Sequence, residues 1–71
     1  MMEEISISGE SIRLGQLLKL HGIAETGAMA KDLLAAGEVS VNGEPEQRRG
    51  RALVPGDRIE VLGQTIAVAA G

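Results

Sequence analysis

Apolar and polar positions follow two different periods along this chain, and the switch between them falls within residues 30–43. Ala30, Leu33, Leu34 and Gly37 stand at i, i+3, i+4 and i+7, the spacing of one helix face. Gly37 falls where a helix needs a left-handed residue to close its last turn. Val39 and Val41 then alternate with Ser40 and Asn42, the period of a half-buried strand. Asn42-Gly43 tolerates the positive φ angles of a tight hairpin turn. The pattern predicts a helix that stops abruptly, passes at once into a strand, and turns tightly out of it.

The flanking segments fit around that unit. Ile5 and Ile7 alternate with Ser6 and Ser8, and Gly9-Glu10 offers a glycine-first turn from which Ser11 to Arg13 returns as a second short strand. Leu14, Leu17, Leu18 and His21 take up helical spacing, with Gly22 as the cap and Ile23 packing back on the last turn. Gly15 near the start weakens this first helix by up to about 1 kcal/mol relative to alanine. Thr26 is the expected N-cap of the second helix, Gly27 to Ala36, and the short link makes the two helices close neighbours. Beyond the Asn-Gly turn, Pro45 restricts any returning strand to an edge or bulge. Glu46 to Gly50 has no apolar residue and predicts an exposed loop, after which Leu53 and Val54 re-enter the core. Pro55-Gly56 signals a type II turn. Arg58 to Leu62 and Thr65 to Ala69 form a hairpin about Gly63-Gln64, with Ile59, Val61, Ile66 and Val68 inward. The end, Ala69 to Gly71, is expected to fray. The fold class is therefore α+β, with 71 residues in one domain.

Composition narrows the chemistry. Phe, Tyr and Trp are absent, so the core rests on Ile, Leu and Val, and no aromatic platform can stack unpaired bases. Without cysteine there is neither a disulfide nor a thiolate metal site, and no spacing suggests a metal or other cofactor. His21, the sole histidine, fits a partly buried residue favoured by the dipole near a helix C-terminus. One histidine and no cysteine do not assemble a nucleophile–base pair, so the expectation is a protein that is not an enzyme. The opening MMEEISISGE lacks the pattern of a signal peptide, and no apolar run approaches the roughly 20 residues of a membrane span. A cytoplasmic monomer, away from the membrane, is the expectation.

The net charge is −3, but its distribution matters more. Five of the seven basic residues are arginine, and three of these sit together as Arg48, Arg49 and Arg51. Arg13 and Lys19 accompany the first helix and Lys31 the second, while Glu3, Glu4, Glu10, Glu38 and Glu44 lie mainly elsewhere. An acidic chain can thus present a basic face, and arginine's planar fork suits phosphate. From charge alone, a short arginine run is more often only a solvated loop, because a basic patch is the first of several required signs.

Specific residues carry a resemblance. Arg13-Leu14, Leu17-Leu18, Thr26, Ala30-Lys31, Leu33-Leu34, Gly37, Val39, Val41-Asn42-Gly43 and Val54-Pro55-Gly56-Asp57-Arg58-Ile59 match the layout of the ribosomal-protein-S-four-type RNA-binding domain. The likeness covers about residues 12 to 62 and is greatest to stand-alone, ribosome-associated bacterial members. It implies the alpha-L RNA-binding motif: two packed helices on a small, mostly antiparallel bent sheet, with RNA on the helical side and adjoining loop. Carried over to matching positions, the RNA-contacting residues are Arg13, Thr26 and Lys31, with Lys19 on the same helix as Arg13 and with Arg48, Arg49 and Arg51 in a loop that is often basic. The implied partners are structured RNA, ribosomal or transfer, and the ribosome. Two positions depart from the family pattern. Gly15 replaces an aspartate, and Gly27-Ala28 replaces an Arg-Ser pair, which would let a backbone phosphate approach the N–H groups of the second helix.

Two other classes remain open at this level. The "Gly-Asp-x-Ile" hairpin near a C-terminal glycine also resembles sulfur carriers of the ubiquitin-like fold, although these need a Gly-Gly end and the chain has Ala70-Gly71. A module of the same fold that contacts protein instead of RNA fits the negative net charge.

Overall fold

The computed structural model describes residues 2–71. The chain runs β1 (Met2–Ile7), β2 (Ile12–Arg13), α1 (Leu14–Leu20), α2 (Gly27–Ala35), β3 (Val39–Val41), β4 (Glu44–Pro45), β5 (Ala52–Leu53), β6 (Arg58–Val61) and β7 (Gln64–Ala70). Five strands form a mixed sheet in the order β1-β7-β6-β3-β4, with β1 and β7 parallel and the other neighbours antiparallel. β2 and β5 form a separate two-stranded antiparallel ladder.

Period-2 burial along the strands gives the sheet one apolar face. Val39, Val41, Ile59, Val61, Ile66 and Val68 are buried, while Arg58 and Glu60 point to solvent. The helices contribute Leu14, Leu17, Leu18, Ala30 and Leu34 to the same core cluster, and Leu33 packs at its edge. Both helices end in the same way. After α1, Gly22 has φ 77°, its amide donates to Lys19 O, and the Ile23 amide reaches back to Leu18 O. After α2, Gly37 also has φ 77°, with Gly37 N to Leu34 O and Glu38 N to Leu33 O. These paired bonds satisfy the last free carbonyls and turn the chain out of each helix. Thr26 caps α2 as expected, its Oγ1 accepting from the Met29 amide at 3.1 Å.

The Asn-Gly turn forms as its sequence predicts, with Asn42 and Gly43 at φ 53° and 87° and Val41 opposite Glu44. Asn42 also works at a distance. Its Oδ1 accepts from the Arg58 amide at 2.9 Å, and its Nδ2 donates to Asp57 Oδ1 at 3.0 Å. Asp57 Oδ2 in turn accepts from the Val54 amide at 3.0 Å. Burial would raise the Asp57 pKa, but the Val54 amide, Asn42 and the Arg51 charge outweigh it and leave it lowered. The Asn-Gly and Gly-Asp motifs therefore brace each other.

Several local expectations give way to tertiary pairing. The β1–β2 hairpin does not form: β1 takes a six-residue parallel register with β7, from Met2↔Thr65 to Ile7↔Ala70, and β2 pairs with β5. A long ladder beside buried Val68 outweighs the two or three pairs a Gly9-Glu10 turn would offer. The same ladder orders the chain end. β7 extends to Ala70, and the Gly71 amide donates to Ile7 O at 2.8 Å. In the β6–β7 hairpin the turn falls on Leu62-Gly63, one residue earlier than its sequence suggests, with Val61 opposite Gln64. Two bonds fix the far end of that register, Val68 N to Asp57 O and Gly56 N to Val68 O, both 2.9 Å. Val54 is 47% exposed, since alternation buries Leu53 and turns Val54 outward. Glu46, expected in an exposed loop, is only 7% exposed.

Candidate functional site

Glu46 builds the basic loop. Its amide donates to Val39 O at 3.0 Å, and its side chain is buried. Its carboxylate accepts from the amides of Gln47 and Arg48 at 3.0 and 3.1 Å. It also accepts from Arg48 Nε and Nη2 at 3.3 and 3.2 Å and from Arg51 Nη1 at 3.0 Å. The Arg48 side chain, then its amide, then Arg51 hold the Glu46 pKa down to about 2. The same contact raises the pKa of Arg48. Five donors on one carboxylate fold residues 46–51 into a fixed bend.

That bend caps α1. Arg13, at the N-cap position, makes no side-chain cap bond. The first two amides of α1 instead donate to the loop, Leu14 N to Arg51 O at 2.8 Å and Gly15 N to Arg49 O at 2.9 Å. Arg13 Nη1 closes the junction by donating to Gly50 O at 2.8 Å. Two of the free donors of the helix start are thereby spent on the loop backbone.

A cleft lies between the start of α1, the loop and the start of α2, lined by Arg13, Gly15, Gln16, Lys19, Gly27, Arg49 and Gly50. It holds three cationic side chains and no carboxylate. Arg49 lies across Gly15 so closely that a Cβ there would run into its Cγ, and its Nη1 reaches to 3.8 Å from where a Cβ on Gly27 would stand. The two glycines that depart from the family layout are the floor beneath this arginine. Among the described residues, Arg13, Lys19, Lys31 and Arg49 take part in no ion pair.

The residues singled out from sequence therefore divide. Arg13, Lys19 and Arg49 converge on the cleft. Thr26 caps α2 beside it, and Lys31 is exposed on α2 outside its lining. Arg48 and Arg51 are tied to Glu46, Arg48 with its side chain largely in solvent. Gln16, Gly15 and Gly27 are lining residues that charge alone did not indicate, and Glu46 was hidden among loop residues. Its only local signal is an acid two and five positions before arginines. His21 is half-buried, with Nε2 3.2 Å from Glu3 Oε1, joining the end of α1 to β1. Among the described residues no group of His, Asp and Glu could hold a metal ion, and no helix is long and apolar enough to cross a membrane.

Known proteins share this architecture. The S4 domain family model matches residues 5–69. The probable ribosome maturation protein RlbA of Bacillus subtilis is 51% identical over 63 residues, covering 89% of each chain. The putative RNA-binding protein YbcJ of Escherichia coli is 39% identical over 59 residues, 83% of this chain and 84% of that one. The solution structure of YbcJ, described as revealing an alfaL motif involved in RNA-binding, superposes with a TM-score of 0.66 at 33% identity, over 97% of this chain and 86% of that one. The ubiquitin-like alternative has no counterpart among these matches. On its helix pair, its mixed sheet and this agreement in sequence, the chain belongs to the S4 domain family.

Proposed function

We propose that this chain is a non-catalytic RNA-binding protein that holds structured RNA, ribosomal or transfer, by its phosphates across the α1–loop–α2 cleft. The observation that carries this reading is the placement of Arg49. Its guanidinium lies near the start of α2, where the helix dipole is positive, with Arg13 and Lys19 in the same cleft and no carboxylate there. Cations gathered at a positive helix end repel one another unless an anion joins them, and a phosphate between them would relieve that repulsion. Arg13, Lys19 and Arg49 are the primary contacts. Thr26 and Lys31 extend the surface along α2. Arg48 and Arg51 hold the loop through Glu46 and keep spare N–H donors for backbone oxygens.

The absence of aromatic residues points the same way, since recognition then rests on backbone shape and charge, not on stacked bases. The names of the relatives support RNA as the ligand and ribosome maturation as the setting. In this reading the protein works as a cytoplasmic monomer.

The test is titration with a folded ribosomal RNA fragment, an unstructured strand of equal length and duplex DNA at matched salt. The folded RNA should bind tightest, with affinity falling linearly on a logarithmic salt scale. Replacing Arg48, Arg49 and Arg51 together by alanine should weaken binding severalfold or more and flatten that slope. Equal affinity for all three nucleic acids would reduce the activity to general electrostatics. An unchanged salt slope in the triple variant would remove the loop from the interface.

A further inference from the structure

A second surface carries the opposite chemistry. Met29, Asp32, Leu33 and Ala36 stand at i, i+3, i+4 and i+7 on one face of α2, and with Ile23 and Leu62 they line an apolar groove. Met29 is 44% exposed and Leu62 55%, so two large apolar side chains of this lining lie in water. Leu62 also borders a neighbouring depression lined by Glu38, Ser40, Glu60 and Thr65. Neither depression is lined by a lysine or arginine, and neither shares a residue with the basic cleft. The surface is therefore aliphatic at its centre and acidic at its edge, with Asp32, Glu38 and Glu60 around Leu62.

Leu62 itself is unusual. It occupies the first central position of the β6–β7 turn at φ 49°, a conformation that costs a bulky L-residue about 1–2 kcal/mol and that glycine or asparagine takes easily. Asn42 fills the matching position of the β3–β4 turn. A strained, exposed leucine serves neither the turn nor the core, and its side chain is placed where it extends the apolar groove.

We propose that this groove docks a segment of another protein that carries aliphatic side chains flanked by lysines or arginines. The acidic edge selects that charge and repels RNA phosphate. It also disfavours a second copy of the chain, since a two-fold contact through this face would set Asp32, Glu38 and Glu60 against their own images. The chain then acts as a bridge, with RNA on the basic side and a basic protein on the acidic one.

The experiment is an NMR titration of the isotope-labelled full chain with two synthetic helical peptides that share the same leucines, one filled out with lysines and the other with glutamates. The lysine peptide should shift the signals of Ile23, Met29, Leu33, Ala36 and Leu62, more weakly at higher salt, and the glutamate peptide should leave them in place. Met29→Ser and Leu62→Gly should each weaken the lysine peptide by roughly fivefold or more, the scale of an interface anchor, with unaltered or higher thermal stability. The proposal is overturned if both peptides bind alike, if the lysine peptide shifts only residues outside the groove, or if neither binds. It is equally overturned if the groove signals move with protein concentration alone or on adding RNA. Apart from a groove response to RNA, these outcomes leave the RNA reading untouched, and that reading is decided by the cleft variants.

Discussion

The two ends of α2 are set in opposite surroundings. Gly27 at its start borders a cleft with Arg13, Lys19 and Arg49 and no acid, while Met29, Asp32 and Leu33, with Ala36 at its C-cap, line an apolar groove. The basic end is organised by polar bonds: a buried carboxylate fixes a loop, and the loop backbone caps the neighbouring helix. The groove end is organised by packing, with Leu33 half in the core and Leu62 held out on a strained turn. One nine-residue helix thereby separates charges that the net value of −3 averages away.

Charge reversal breaks the comparison most directly. Arg49→Glu puts a carboxylate into the cleft and removes a charge-assisted contact of about 1.5–3 kcal/mol, so RNA affinity should fall by roughly tenfold to a hundredfold. Asp32→Lys, on the groove face of the same helix, should change RNA affinity far less, because a surface charge that makes no direct contact is weakened by solvent and salt. Fluorescence anisotropy at fixed salt measures both. Equal losses would mean that the surfaces are not separate.

Acid should loosen the basic end, but only well below the ordinary carboxylate range. The Glu46 pKa is lowered from the ordinary 4.5 to about 2, so its contribution to stability is complete above 4.5 and is lost as pH falls toward 2. Following the Glu46 carboxyl carbon by NMR should give a midpoint near 2, with the Leu14 and Gly15 amides losing hydrogen-exchange protection over the same window. A midpoint near 4.5 would mean that the loop is not held by this carboxylate. Gly37→Val tests the close of α2. At φ 77° a β-branched residue is strained, and the loss of stability should exceed about 1 kcal/mol by denaturant unfolding.

Two smaller effects sharpen the contrast. Gly15→Ala should raise intrinsic helix propensity, yet its Cβ must push Arg49 aside, so RNA affinity should fall a few-fold while the thermal midpoint changes little. Leu62→Gly should stabilise the fold by up to about 1 kcal/mol, since glycine relieves the positive φ and the lost side chain is mostly in solvent. Thermal unfolding reads both. A less stable Leu62→Gly variant would show that this leucine packs as part of the core.

Much of the local structure was legible because it depends on neighbours in sequence. The helical period of Leu14, Leu17 and Leu18, the cap at Thr26, the glycine stops at Gly22 and Gly37 and the Asn42-Gly43 turn each rest on a few adjacent residues. The basic character of the site was legible too, since Arg13, Lys19 and Arg49 are named by charge alone. Glu46 was not, because a carboxylate among arginines looks like any solvated loop residue. Its burial rests on tertiary contacts, its amide on Val39 O and its carboxylate on Arg51.

The sequence by itself determined the two helices, their ends, the tight turn after β3 and the apolar face of the sheet. Backbone preference and hydrophobic period act within one or two turns of chain and need no partner. The tertiary structure alone decided that β1 lies parallel to β7, that β2 leaves it for β5, and that the β6–β7 turn falls on a leucine. It also decided which cations meet. Arg13 and Arg49 are distant in sequence, and they share a cleft because the loop carbonyls of Arg49 and Arg51 are the acceptors that α1 needs at its start. Such pairings are set by the competition among all strands and helix ends for the same partners, a comparison that no single stretch of sequence contains.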